Sequence, residues 1–183
     1  DTDVAKWLEA VAYSLAVEPD EHLSYLADKT INLIGRAQCE DGYLNTYFTI
    51  KDPSKRWTNL KEGHELYTAG HMTEAAVAYY KATGKTEFLD IMKKFADLIC
   101  RTFGPEEGQN HGYPGHQEIE LALIRLYHVT GNKKYLETAK YFIDRRGVGE
   151  NYFLEEEKKP EYKQIFPEFA EYDPRYSQSH QPV

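Results

Sequence analysis

The sequence predicts an all-α fold of antiparallel helical hairpins set side by side, as a solenoid or a closed toroid. Three observations carry the prediction. Apolar residues recur at the helical period in nearly every segment, and no stretch alternates strictly for long enough to argue for a central sheet. Stop signals and new starts follow one another closely. A helix–turn–helix unit also repeats: Tyr80-Lys81-Ala82-Thr83-Gly84 returns 47 residues later as Tyr127-His128-Val129-Thr130-Gly131.

Six main helices follow from the pattern. Val4, Trp7, Leu8, Val11 and Leu15 form the stripe of the first, which Pro19 ends. Asp20 is placed to cap the second, whose stripe is Leu23, Leu26, Ala27, Thr30, Leu33, Ile34 and Ala37. The third spans about 63–83 and stops at Gly84, and the fourth starts from a Thr86 cap and carries Phe88, Ile91, Met92, Phe95, Leu98 and Ile99. A fifth spans about 116–130 before Gly131, and a sixth carries Tyr135, Leu136, Ala139, Phe142 and Ile143 before Gly147. The first member of a pair, such as 63–83, is rich in Ala, Gly and Thr and apolar on more than one side. The second member, such as 86–103, is plainly one-sided. That contrast assigns the first members to an inner layer and the second members to an outer cover, as in an α/α toroid. Residues 147–183 change register: an acidic and basic run, Glu155 to Lys159, is interleaved with aromatics from Tyr152 to Tyr176. They read as a long ordered aromatic loop before a missing helix.

Composition narrows the function. At 183 residues, residues 1–183 are expected to form a single domain, and 41% hydrophobic with 28% charged content excludes a disordered chain. No apolar run approaches the roughly 20 residues that span a bilayer. A net charge of −8, with basic residues scattered among acidic ones, argues against nucleic acid and anionic membranes as partners. Cys39 and Cys100 stand alone, giving neither a disulfide framework nor zinc-ligand spacing. No signal peptide is visible, which leans toward a cytoplasmic location, although the first residue is Asp1 rather than Met. Fifteen tyrosines are the outlier. A tyrosine offers a flat apolar face and a hydroxyl, which suits a sugar as well as it suits a helix interface.

Histidines mark the candidate site. His64 opens one inner helix, His116 opens the next, and His180 ends the loop where a third would begin. Parallel inner helices gather their N-termini at one mouth, where the positive end of a helix disfavours imidazolium and a histidine serves as a neutral hydrogen-bonding group. A lone histidine is more often packing; three in equivalent places point to a shared cavity. Glu118 lies within the same motif as His116, and the turn carrying Asp41 and Tyr43 joins an outer helix to the next inner one. Metal binding is not expected: the second histidine of an H-E-x-x-H motif is replaced by Thr68, His71 is two turns from His64, and His116 and Glu120 at i,i+4 are only a pair. The carboxylates show no spacing that picks out a glycosidase pair.

Four motifs occur in one order: Asp41-Gly42-Tyr43-Leu44-Asn45-Thr46-Tyr47; Gly63-His64-Glu65-Leu66-Tyr67 with Ala69-Gly70-His71; Gly115-His116-Gln117-Glu118-Ile119-Glu120; and Gln178-Ser179-His180-Gln181-Pro182-Val183. With the helical frame, they resemble glycoside hydrolase family 127, the β-L-arabinofuranosidase-like proteins. The resemblance implies an (α/α)6 toroid of the six-hairpin glycosidase type and retaining hydrolysis of a terminal β-L-arabinofuranosyl residue. It also implies a cysteine nucleophile in a zinc site of one glutamate and three cysteines, with a further glutamate as acid/base. Zinc would keep that cysteine as thiolate. The histidines matching His64 and His116 lie in the family's sugar pocket.

Nothing in this chain matches the zinc ligands, the nucleophile or the acid/base, and neither Cys39 nor Cys100 is at a matching position. The chain is therefore expected to be the first half of a longer catalytic toroid, with catalytic residues and zinc beyond Val183 and no cofactor of its own. His64, His116, Glu118, Asp41, Tyr43 and His180 are expected to bind substrate, an arabinofuranosyl oligosaccharide or glycoconjugate. The exposed half-toroid face could also support self-association. Two alternatives stand beside this reading. One is another sugar-active toroid, such as an unsaturated glycuronyl hydrolase or epimerase. The other is a helical-repeat peptide-binding module.

Overall fold

A computed structural model describes residues 1–160. Eight α-helices follow in order: α1 (Thr2–Val17), α2 (Glu21–Ala37), α3 (Thr46–Lys51), α4 (Glu65–Thr83), α5 (Glu87–Thr102), α6 (Ile119–Thr130), α7 (Lys133–Arg145) and α8 (Tyr152–Glu157), with a 3₁₀ turn at Pro53–Lys55. Among the described residues there is no strand, only an isolated bridge between Phe103 and Asn110. None of these helices is long and apolar enough to cross a membrane.

The helices form two layers. α1 packs on α4 and α4 on α6, making the inner row, while α2, α5 and α7 lie outside it as the second members of three hairpins. This is an arc of an α/α toroid. α4 is buried around nearly its whole circumference, from Glu65 and Leu66 through Ala69, Gly70 and Met72 to Ala78 and Tyr79. α5 buries one stripe, Phe88, Leu89, Met92, Phe95, Ala96 and Ile99.

The repeat is exact in its hydrogen bonding. Gly84 and Gly131 end α4 and α6 in the left-handed region, at φ 74° and 71°, where a side chain would be strained. Each donates its N–H to the tyrosine carbonyl four residues back, Tyr80 or Tyr127. In each unit the preceding threonine hydroxyl donates to the carbonyl four residues earlier and then accepts from the N–H two residues on.

Several expectations change. Asp20 caps α2 by accepting from the Leu23 N–H at 2.9 Å, but Thr86 makes no side-chain cap, its backbone already being helical. Val4, Trp7 and Leu33 are exposed; the buried faces run instead through Ala5, Leu8, Val11, Ala12 and Leu15 on α1 and Ala27, Ile31 and Ile34 on α2. α6 starts at Ile119, because Glu118 has non-helical backbone and Gly115 is tied to the Leu60 carbonyl at 3.0 Å. His116 therefore lies in the segment before the helix. Two short helices, α3 and α8, stand where loops are expected. α8 replaces part of the long loop, and Glu156 within its charge run is buried, accepting from the Leu60 and Lys61 N–H groups.

The inner row is closely packed at Gly70. A Cβ there would stand 2.5 Å from Glu118 Cγ and 3.0 Å from the backbone of Glu118 and Ile119. Gly70→Ala should push α6 from α4 and lower unfolding free energy by about 1–3 kcal/mol, read from urea denaturation midpoints at constant m-value.

Candidate functional site

The N-terminal end of α4 carries the candidate site. His64 is its N-cap residue and adopts left-handed backbone at φ 52°, with Nδ1 2.6 Å from the Glu62 carbonyl. Trp57, at the other end of the same loop, also has positive φ. Non-glycine residues rarely hold this conformation unless their surroundings fix it. Here the fixing groups are identifiable. Glu65 accepts from the Trp57 N–H, Asn59 accepts from the Glu62 N–H, and Glu156 reaches in from α8.

Tyr67, one turn into α4, gathers the histidines. Its ring centroid lies 5.6 Å from His64, 4.5 Å from His71 and 4.7 Å from His116, and Lys6 of α1 sits over it at 5.8 Å. Glu118 meets His71 at 3.2 Å, Oε1 to Nδ1. Burial holds the Glu118 carboxyl above its usual range, helped by Glu9, and pushes His71 below its own, helped by Lys6. Burial thus disfavours the charged form of each partner at this contact. The structure thus brings His64, His116 and Glu118 to one place.

Below this cluster the same face of α4 presents Glu74. Arg125 of α6 contacts Glu74 and lies 3.9 Å from Glu9 of α1, so one guanidinium ties the three inner helices together. Burial raises Glu74 to about 7 against the pull of Arg125. Tyr67 and His71 are absent from the residues expected to bind substrate, whereas Glu74 is one of the carboxylates that the sequence puts near the mouth. Their spacing of four and three along an Ala- and Gly-rich helix is the signal that places them on one face.

Asp41 and Tyr43 do not join this cluster. Tyr43 is fully buried, its hydroxyl 2.5 Å from Glu65 Oε1 and its ring between the Arg56 guanidinium and the rings of Trp57 and Phe95. A side chain with its ring enclosed and its hydroxyl committed has no surface for a substrate. Asp41 accepts from the Tyr43 N–H with one oxygen and pairs with Arg56 at 3.1 Å with the other. Both residues buttress the loop that ends in His64. His180 lies outside the described residues. Glu120 pairs with Arg146 and accepts from the Glu118 N–H, rather than sharing an ion with His116.

The described residues do not fit the zinc centre that the resemblance implies. No three His, Cys, Asp or Glu side chains gather among them as ligands. Cys39 contacts Arg56 and Thr49, while the Cys100 thiol lies against the Lys134 carbonyl, between other helices.

The family model for the beta-L-arabinofuranosidase, GH127 catalytic domain, matches residues 1–183. The chain belongs to glycoside hydrolase family 127. Over its whole length it is 46% identical to a non-reducing end beta-L-arabinofuranosidase of Bifidobacterium longum subsp. longum, of which it covers 28%. The crystal structure of a GH127 beta-L-arabinofuranosidase from Geobacillus stearothermophilus T6 superposes with a TM-score of 0.86 at 58% identity, over all of this chain and 28% of that one. A GH127 beta-arabinofuranosidase structure matches at 44% identity and a TM-score of 0.78, over 82% of this chain and 25% of that one. This family member thus spans little more than a quarter of the length of these relatives.

Glu65 supplies a pH test of the buttress. Burial outweighs its hydrogen bonds from Tyr43 and Trp57 and raises its carboxyl to about 7. The fold therefore retains a proton that the unfolded chain releases above about pH 4.5. Stability from this group is complete below that pH and is lost as pH rises toward about 7. Glu65→Gln, uncharged throughout, should flatten the fall in unfolding free energy across this window, measured by chemical denaturation at successive pH values.

Proposed function

We propose that this chain forms the substrate-binding first half of the catalytic toroid of a β-L-arabinofuranosidase. The observation that carries the reading is the cluster of His64, His116 and Glu118 around the Tyr67 ring, at the N-terminal ends of two neighbouring inner helices. Imidazole nitrogens both donate and accept, which matches sugar hydroxyls, and the tyrosine face suits the C–H surface of a furanose ring. The relatives named as arabinofuranosidases support the choice of sugar, family membership supports hydrolysis of a glycosidic bond, and retention is what the family resemblance implies.

Within that reaction these residues bind and orient. His64 and His116 hold hydroxyls of the terminal sugar, while Glu118 orders the segment that carries His116. The acid/base, the nucleophile and the zinc with its ligands are assigned to the remainder of the protein, which also covers the apolar side chains exposed at the two edges of the arc, Val4 and Trp7 on α1 and Leu136, Ile143 and Leu154 on α7 and α8.

In the full-length protein, His116→Ala should lower kcat/KM on an aryl β-L-arabinofuranoside by about 1–3 kcal/mol, the cost of leaving a buried polar partner unsatisfied. The melting temperature should change little. The 183-residue chain alone should show no turnover. Turnover by that chain, abolished by Glu118→Gln, would place the chemistry here and overturn the assignment.

A further inference from the structure

α4 presents one histidine that the sugar-site reading leaves without a task. His71 is largely enclosed, with 16% of its side chain exposed, as is its partner Glu118 at 15%. Groups facing it come from α1, from α4 itself and from the segment before α6: Lys6 and Glu9, then Tyr67, then His116 and Glu118.

Two independent features seat Glu118 on α4. Gly70 removes the side chain that would collide with Glu118 Cγ, and His71, the next residue, meets the carboxyl through Nδ1. Glu118 stands at the N-cap of α6 but makes no capping bond with its side chain, which goes to His71 instead. The ring of His71 also meets Tyr67 nearly edge-on, with an interplanar angle of 86°. Nδ1 lies 3.2 Å from Glu118 Oε1, placed to donate to it, and Nε2 is buried with no partner. The imidazole is therefore oriented from its Nδ1 side, by Glu118 and Tyr67.

We propose that His71 is a positioning residue of the sugar site: it seats Glu118 against α4 and steadies the Tyr67 ring, and so holds His116 in place to meet the substrate. The inference rests on the sugar-site reading above. It explains why a polar side chain occupies the middle of the most buried helix. An aliphatic residue would fill the space but would leave the partly buried Glu118 carboxyl without its imidazole partner.

The test uses the full-length protein with p-nitrophenyl β-L-arabinofuranoside and four variants: His71→Leu, His71→Asn, Glu118→Ala and His71→Leu with Glu118→Ala. Asparagine returns an N–H donor close to the place of Nδ1; leucine does not. His71→Leu should raise KM at least about tenfold with a much smaller change in kcat, and His71→Asn should recover most of the loss. The double variant should be little worse than the worse single one, as for residues acting as one unit. A wild-type KM for His71→Leu, equal defects in the asparagine and leucine variants, or additive effects would overturn the proposal. Should His71→Leu fail to fold, His71→Asn and Glu118→Ala decide: near-wild-type KM in the first with a raised KM in the second supports the proposal, and any other pattern defeats it. His116→Ala is the separate control. A wild-type KM there removes the sugar-site reading itself, whereas a raised KM with an unaffected His71→Leu removes only the role of His71.

Discussion

α4 has almost no free side, and the arrangement of the other elements follows from that constraint. A helix enclosed by α1, α6 and its own outer partner α5 must be narrow where its neighbours cross it. Ala69, Gly70, Ala75, Ala76 and Ala78 make it so. The same enclosure means that any polar group on α4 must find a partner within the protein. Glu65 finds Tyr43 and the Trp57 backbone, His71 finds Glu118, and Glu74 finds Arg125. The partners come from the loops before α4 and from α6 with its N-cap, so these contacts fix how those elements meet α4.

Burial also explains the electrostatics. The chain is acidic, yet several of its carboxyls are raised toward neutrality: Glu65, Glu74 and Glu156 to about 7, and Glu118 in the same direction. In each case loss of water outweighs the hydrogen bonds or cations that favour the charged form. An uncharged carboxyl is less costly to bury than a carboxylate and both donates and accepts, which is how an acidic chain can enclose these groups.

Much of this was legible in the chain. Helices α1, α2 and α4 to α7 announce themselves by period, and Gly84 and Gly131 mark the ends of two of them because only glycine is at ease there. His64 and His116 are legible by equivalence, each preceding an inner helix. α3 and α8 are six residues each, less than two turns, too short for a periodic stripe to show. His71 and Tyr67 were hidden for a different reason: a polar residue inside an apolar helix says nothing about its partner until the neighbouring helix is placed. Tyr43 misleads in the opposite way. Its turn is plain from Asp41-Gly42, but whether its ring faces the mouth or the core depends on Glu65, 22 residues away.

The tie between α8 and the loop before His64 has a consequence for biogenesis. The buried carboxylate of Glu156 reaches the Leu60 N–H across 96 residues of chain. A ribosome making this protein from its N-terminus therefore releases α1 to α7, with most of their hairpin contacts available, before the residue that clamps the histidine loop has emerged. The scaffold can settle early through neighbours in sequence, while the histidine loop takes its final shape only after that late arrival.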